Sequence, residues 1–154
     1  MSLRAAIGST ALVVLIAVGL YAFATLPASI PTSFGFDGRP QAWGSKLTIL
    51  SLPAAGLLAF VLTSIVQATK PRANLPFRVP EGRDEAVQAA FYAGTADLKA
   101  FLMCGFLALT LVMIASSRGA LSPAFLPVMG VFVVALVGIV AGMLVRAWRA
   151  AFAP

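Results

Sequence analysis

Very few side chains in this chain are equipped to do chemistry. There is no histidine, a single cysteine at Cys104, and five acids: Asp37, Glu81, Asp84, Glu85 and Asp97. Without imidazole there is no unperturbed general base near neutral pH and no ordinary axial ligand for a haem. One cysteine makes neither an internal disulfide nor a multi-thiolate metal site, and inside an apolar run it reads as a small buried residue. Only Asp97 approaches a long apolar stretch, with Lys99 two residues further on. An ionisable residue within a membrane span is by default a proton-relay or ion-site hypothesis. Here the uninterrupted apolar run begins at Ala100, so Lys99 is expected to snorkel to the interface and Asp97 to sit in an interfacial turn. Two residues apart on a helix, they point to different faces. The reading is a chain with no catalytic residues, no metal site and no cofactor.

The elements that would position these residues are set by composition. The 154 residues are 60% hydrophobic and 10% charged, against roughly 25% charged in soluble domains. Several apolar runs of about 20 residues exceed what one soluble core of this size can hide. Inside lipid each run must satisfy its own backbone, which favours helices. The fold class expected is therefore all-α integral membrane: one domain over 1–154, with four transmembrane helices at about 5–26, 47–67, 84–117 and 123–149. The third is a helical lead-in from Asp84 that becomes apolar at Ala100. Arg4, the apolar run and "AFA" at Ala22 to Ala24 also outline a signal peptide, but the run is long for one, and a retained first helix is expected. Ser122 before Pro123 suits a helix start, Pro53 predicts a kink in the second span, and Trp148 with Arg146 and Arg149 suits an interfacial belt.

Basic residues indicate orientation, because loops rich in Lys and Arg stay cytoplasmic. Four spans put Arg4, Lys70, Arg72, Arg78, Arg83, Lys99, Arg146 and Arg149 at one face and Arg39, Lys46 and Arg118 at the other, eight against three. Both termini are thus expected in the cytoplasm and the connection between helices 1 and 2 outside. The net charge of +6 needs no nucleic acid, since the cations are scattered at helix ends with no dense cluster or aromatic platform. The lipid bilayer, with its anionic inner surface, is the simpler partner.

Packing surface and loops carry the remaining information. Ala96, Ala100, Cys104 and Ala108 recur every four residues, and Gly138 and Gly142 repeat that spacing in the fourth span; such stripes let membrane helices approach closely. They are expected to pack mainly on each other, with contact to another chain as the alternative. The inner connection, with Pro71, Pro76 and Pro80, reads as extended and then as an amphipathic helix opening on Asp84 and Glu85. The outer loop, "LPASIPTSFGFDGRPQAWGSK", reads as ordered. Pro27 and Pro31 stiffen it, Asp37 and Gly38 suit a turn, and Phe34, Phe36 and Trp43 suit the membrane interface.

These residues resemble a bacterial membrane family of unknown function that includes the SdpI-type toxin-immunity proteins. The likeness is carried by Leu26, Pro27, Ile30, Pro31, Phe34, Gly38, Pro40, Trp43, Gly44, Ser45 and Lys46, then by Asn74, Pro76 and Lys99, over about residues 10–117. The resemblance implies a bacterial cytoplasmic (inner) membrane location. It also implies a histidine where Ser33 stands and an aspartate where Gln41 stands. Both departures remove an ionisable group and keep a hydrogen-bonding one. The expectation is a noncatalytic protein that works by contact with another membrane protein or complex, as an accessory or stabilising subunit. An SdpI-like immunity or sensing role is the alternative. The candidate docking residues are Pro27, Pro31, Ser33, Phe34, Phe36, Gly38, Gln41, Trp43 and Lys46; the candidate helix-packing residues are Ala100, Cys104, Ala108, Gly138 and Gly142.

Overall fold

The computed structural model describes residues 3–35, 39–119 and 125–152. The elements run α1 (Leu3–Thr25), β1 (Ser29–Phe34), β2 (Pro40–Ser45), a 3-10 turn (Lys46–Leu50), α2 (Ser51–Thr69), α3 (Asp84–Tyr92), α4 (Thr95–Ser117) and α5 (Phe125–Phe152). Four helical stretches are long and apolar enough to cross a membrane: Leu3–Thr25, Lys46–Thr69, Asp84–Ser117 and Leu126–Phe152. By length and composition these four helices fit a multi-pass membrane helix bundle.

Three differences from the sequence expectation have physical causes. The connection between α1 and α2 is a two-stranded antiparallel hairpin, so the fold is not wholly helical. The stretch expected as one helix over 84–117 breaks after Tyr92. At the break, a Cβ on Gly94 would lie 2.4 Å from Met143 Cγ, so a larger residue there would have to displace the Met143 side chain of α5. Pro53 does not lie in the interior of α2. It sits in the first turn of α2, where its missing N–H is one of the unpaired donors of a helix start. The start expected at Ser122 and Pro123 lies outside the described residues.

α1 and α4 form the central pair, with α2 beside both. Ala11, Leu12 and Met103 are buried between them with Phe60 and Phe106. Glycines set the approach. A Cβ on Gly56 would meet Leu15 Cδ2 at 2.5 Å, and one on Gly19 would meet Pro53 Cγ at 2.4 Å. α5 lies at the edge, and Val131, Val134 and Val137 are more than half exposed. In a bilayer such a face meets acyl chains without penalty.

The connection between α2 and α3 folds back as a small cap. Leu75, Phe77 and Val79 pack with α3 and the end of α5 around buried Val87, Ala147 and Ala151. Gln88 holds it in place, accepting from Ala73 N–H at 3.0 Å and donating to Ala73 C=O at 3.4 Å. The Tyr92 hydroxyl donates to Pro71 C=O. Arg72 pairs with Asp84 at 2.6 Å across the same cap.

Candidate docking surface

The hairpin is built from a base inward. α1 ends at Thr25, and Leu26 N–H still donates to Ala22 C=O at 2.8 Å before the prolines force extension. β1 and β2 then pair Ser29 with Ser45, Ile30 with Gly44, Pro31 with Trp43, Ser33 with Ala42 and Phe34 with Pro40. The register shifts around Ser33, which twists the strand at the position where the resemblance expects histidine. Pro31 is admissible because each strand of a two-stranded sheet has an open edge that needs no N–H. Further bonds close the ladder at each end: Gly35 N–H to Arg39 C=O at 2.9 Å and Lys46 N–H to Ala28 C=O at 3.0 Å.

The base is fixed to the bundle. Leu26, Ile30 and Ile49 are buried with Ala22 of α1 and Met113 of α4, and Phe23, Leu50, Leu52 and Ile114 complete the cluster. Lys46 Nζ lies 4.8 Å over the Phe23 ring, a cation–π contact that ties the end of β2 to α1. Ser45 Oγ accepts from Leu47 N–H at 3.3 Å and caps the 3-10 turn that leads into α2. Gly44 is needed because a Cβ there would come within 2.8 Å of Thr32 Cγ2.

The outer face is open. Thr32, Ser33, Gln41 and Ala42 are exposed, as is Pro27 at the entry, and Trp43 is 62% exposed. Phe34 is half-buried and Pro31 is buried, so the proline belongs to the anchor and not to the accessible surface. Phe36 and Gly38, at the tip, lie outside the described residues. Among the described hairpin residues there is no carboxylate, and the exposed polar groups are hydroxyls, an amide and the Arg39 guanidinium, beside an indole. Such a surface can accept and donate hydrogen bonds and bury an aromatic ring.

Residues 10–57 match a domain of unknown function, DUF1648. No curated protein and no solved structure matches the chain. The matched stretch takes in most of α1, the hairpin, the 3-10 turn and the first turns of α2. It is therefore the hairpin with both of its supports, and it leaves out α3, α4 and α5.

The small-residue stripes do not meet as expected. Ala100 packs on α1, where a Cβ on Gly8 would be 3.6 Å from its Cα. Cys104 and Ala108 are exposed, and a Cβ added at Gly138 or Gly142 would have no neighbouring atom within 4 Å. The close approach of α4 and α5 is made instead at Gly105, where a Cβ would strike the Phe132 ring at 2.1 Å. Phe132 also stacks on Phe101 with centroids 5.3 Å apart. Small-residue spacing alone puts the seam on the wrong residues, because it does not encode the helix rotation that selects one face of α5.

Charged groups at the opposite end are arranged in ways that sequence spacing does not reveal. Asp97 pairs with Arg4 of α1 at 3.0 Å and with Arg146 of α5 at 3.6 Å. The start of α1, the start of α4 and the last turns of α5 thus share one end of the bundle. Lys99 does not snorkel outward. Its Nζ donates to Ser64 Oγ at 2.6 Å and lies 3.7 Å from the centroid of the Phe60 ring. The Arg4–Asp97 contact joins residues 93 apart in sequence, for which no local pattern exists.

Proposed function

We propose that this chain is a noncatalytic membrane protein that acts by protein–protein contact, as an accessory or stabilising subunit of a larger membrane complex, with the outer hairpin as its docking surface. The observation that supports this reading is the division of the hairpin into a buried base and an exposed face. Ile30 is fully buried in the bundle while Trp43 is 62% exposed on the same ladder. Aromatic residues held rigidly at a surface are the usual anchors of interfaces, because little side-chain entropy is lost when they are covered. Serine and glutamine at positions 33 and 41 supply neutral hydrogen bonds around that anchor. In this reading the hairpin faces the outside of a bacterial cytoplasmic membrane and both termini face the cytoplasm. The excess of cations at the opposite end of the bundle agrees with that orientation.

Extraction in a mild detergent from the native membrane, followed by native mass measurement, tests the proposal. The expected result is a complex containing at least one further membrane protein, cross-linked by a photoreactive residue at position 41 and not by one at position 81. A monomer with no copurifying protein overturns it. A second reading, SdpI-like immunity or sensing, is favoured by one feature: a two-stranded ladder leaves both edges open to an extended peptide. Unchanged sensitivity of a deletion strain to cognate toxins would remove that alternative.

A further inference from the structure

At the end of the bundle away from the hairpin, α1, α2, α3 and α4 border an open cavity of about 330 Å³ lined by Ala5, Gln67, Lys70, Tyr92, Thr95 and Lys99, together with two alanines. Two lysines line it, and neither joins any of the described ion pairs, which run Arg4–Asp97, Arg146–Asp97 and Arg72–Asp84. Asp97, the nearest acid in sequence to Lys99, is occupied by arginines on another face of α4. Lys99 is fixed by Ser64 and Phe60, which use one N–H and the face of an aromatic ring and leave further N–H groups to donate. Ser64 accepts that bond while donating its own proton to Phe60 C=O at 2.6 Å, so its hydroxyl cannot turn away.

Lys70 reaches the cavity through an unusual backbone. α2 ends on this residue with φ 42° and ψ 54°, the left-handed cap position where glycine is the common choice. The chain reverses there into Pro71, and Lys70 lines the cavity. Gln67, one turn earlier, adds an amide with no hydrogen-bond partner among the described residues. Two cations and a neutral donor therefore surround a space that no described carboxylate lines. Such a set fits a phosphate.

We propose that this cavity binds the phosphate of an anionic phospholipid. The lipid source follows from position. The cavity lies beside the last turn of α2, where a helix long and apolar enough to cross a bilayer finishes, and such an end is expected near the phosphate layer. Its alanine walls at Ala5, Ala93 and Ala96 leave room for the glycerol portion without polar competition. The site is at the other end of the bundle from the hairpin and does not depend on the docking reading.

The test uses the full-length protein in a non-ionic detergent, titrated with phosphatidylglycerol and in parallel with phosphatidylcholine, with bound lipid counted by native mass spectrometry. Phosphatidylglycerol is expected to fill one site at least about tenfold more tightly, since choline brings a cation towards two lysines. Lys70→Gln is expected to weaken that binding about tenfold, the cost of one charged hydrogen bond. Lys70→Gln with Lys99→Gln is expected to abolish the preference, and Lys99→Arg to retain it. Lys46→Gln, at the hairpin end, is expected to leave it unchanged. Equal binding of the two lipids, or an equal loss from Lys46→Gln, overturns the proposal. Displacement of the lipid by millimolar inorganic phosphate assigns the site to a free anion and also overturns it. Should Lys99→Gln fail to fold, Lys70→Gln at the exposed helix end decides the question alone.

Discussion

Ile30 and Trp43 lie on one hairpin, the first on its buried base and the second on its exposed face. Ile30 is fully buried among Ala22, Leu26, Ile49 and Met113, so Ile30→Ala removes three buried carbons and leaves a cavity. The expected cost is about 3 kcal/mol, which lowers the melting temperature by roughly 6–12 °C for a chain of this size. Trp43 is 62% exposed. A tryptophan side chain offers at most about 250 Å², so roughly 150 Å² remains to be covered by a partner. At about 25 cal/mol/Å² that area is worth about 4 kcal/mol, and ordering costs at the interface leave about 2 kcal/mol. Trp43→Ala is therefore expected to weaken partner binding about 30-fold while changing stability by about 0.5 kcal/mol or less. The assay is the ratio of partner to chain after mild extraction, measured alongside thermal unfolding in the same detergent. A Trp43→Ala protein that keeps the wild-type partner ratio refutes the docking argument. A Trp43→Ala protein that unfolds like Ile30→Ala refutes the division of the hairpin into base and face.

Other substitutions probe the bundle. Gly19→Ala puts a Cβ 2.4 Å from Pro53 Cγ and is expected to cost about 1–3 kcal/mol in thermal unfolding, with part of the loss recovered in the Gly19→Ala/Pro53→Ala double variant. Asp97→Asn removes both arginine pairs, but Arg4 and Arg146 are more than half exposed, so the expected loss is at most about 1 kcal/mol and fades at high salt. Gly138→Ala and Gly142→Ala add a Cβ with no neighbouring atom within 4 Å and are expected to leave monomer stability unchanged; loss of a copurifying protein from either variant would place a second interface on α5. In a Cys104→Ser background, Gly38→Cys is expected to react with a membrane-impermeant thiol reagent in intact cells and Glu81→Cys only after lysis. The reverse pattern inverts the orientation.

The parts of this protein legible in its sequence are those fixed by solvent. A bilayer requires about 20 apolar residues per span, and this one requirement recovers four helices to within a few residues of their ends. Prolines and the turn residues make the outer connection readable as a stiff element, but not as a ladder. Strand pairing depends on the cross-strand register of Pro31 with Trp43 and Ile30 with Gly44, and neither strand shows clean alternation: Ile30 and Pro31 are both buried in β1, and Gln41, Ala42 and Trp43 are all exposed in β2. Side-chain direction is the least legible quantity. A free amine in lipid is costly, which is why the sequence alone sends Lys99 towards water, yet Ser64 and Phe60 on α2 offer it a local solution. That solution exists only once α2 and α4 are packed.

The same packing explains how one end of the bundle can hold two charge clusters with different fates. Asp97 faces Arg4 and Arg146 and is neutralised by them, with one positive charge left over. Lys99, two residues along the same helix, is turned roughly 200° about the axis and faces α2, where the described lining contains no acid. Moving the carboxylate to the lysine face should therefore exchange the two environments. Introducing Gln67→Glu places an acid on the cavity wall with Lys70 and Lys99, and is expected to stabilise the apoprotein while lowering phosphatidylglycerol affinity about tenfold or more. Stabilisation without loss of lipid binding would mean that the lysines act as a structural pair and that the lipid contacts some other surface.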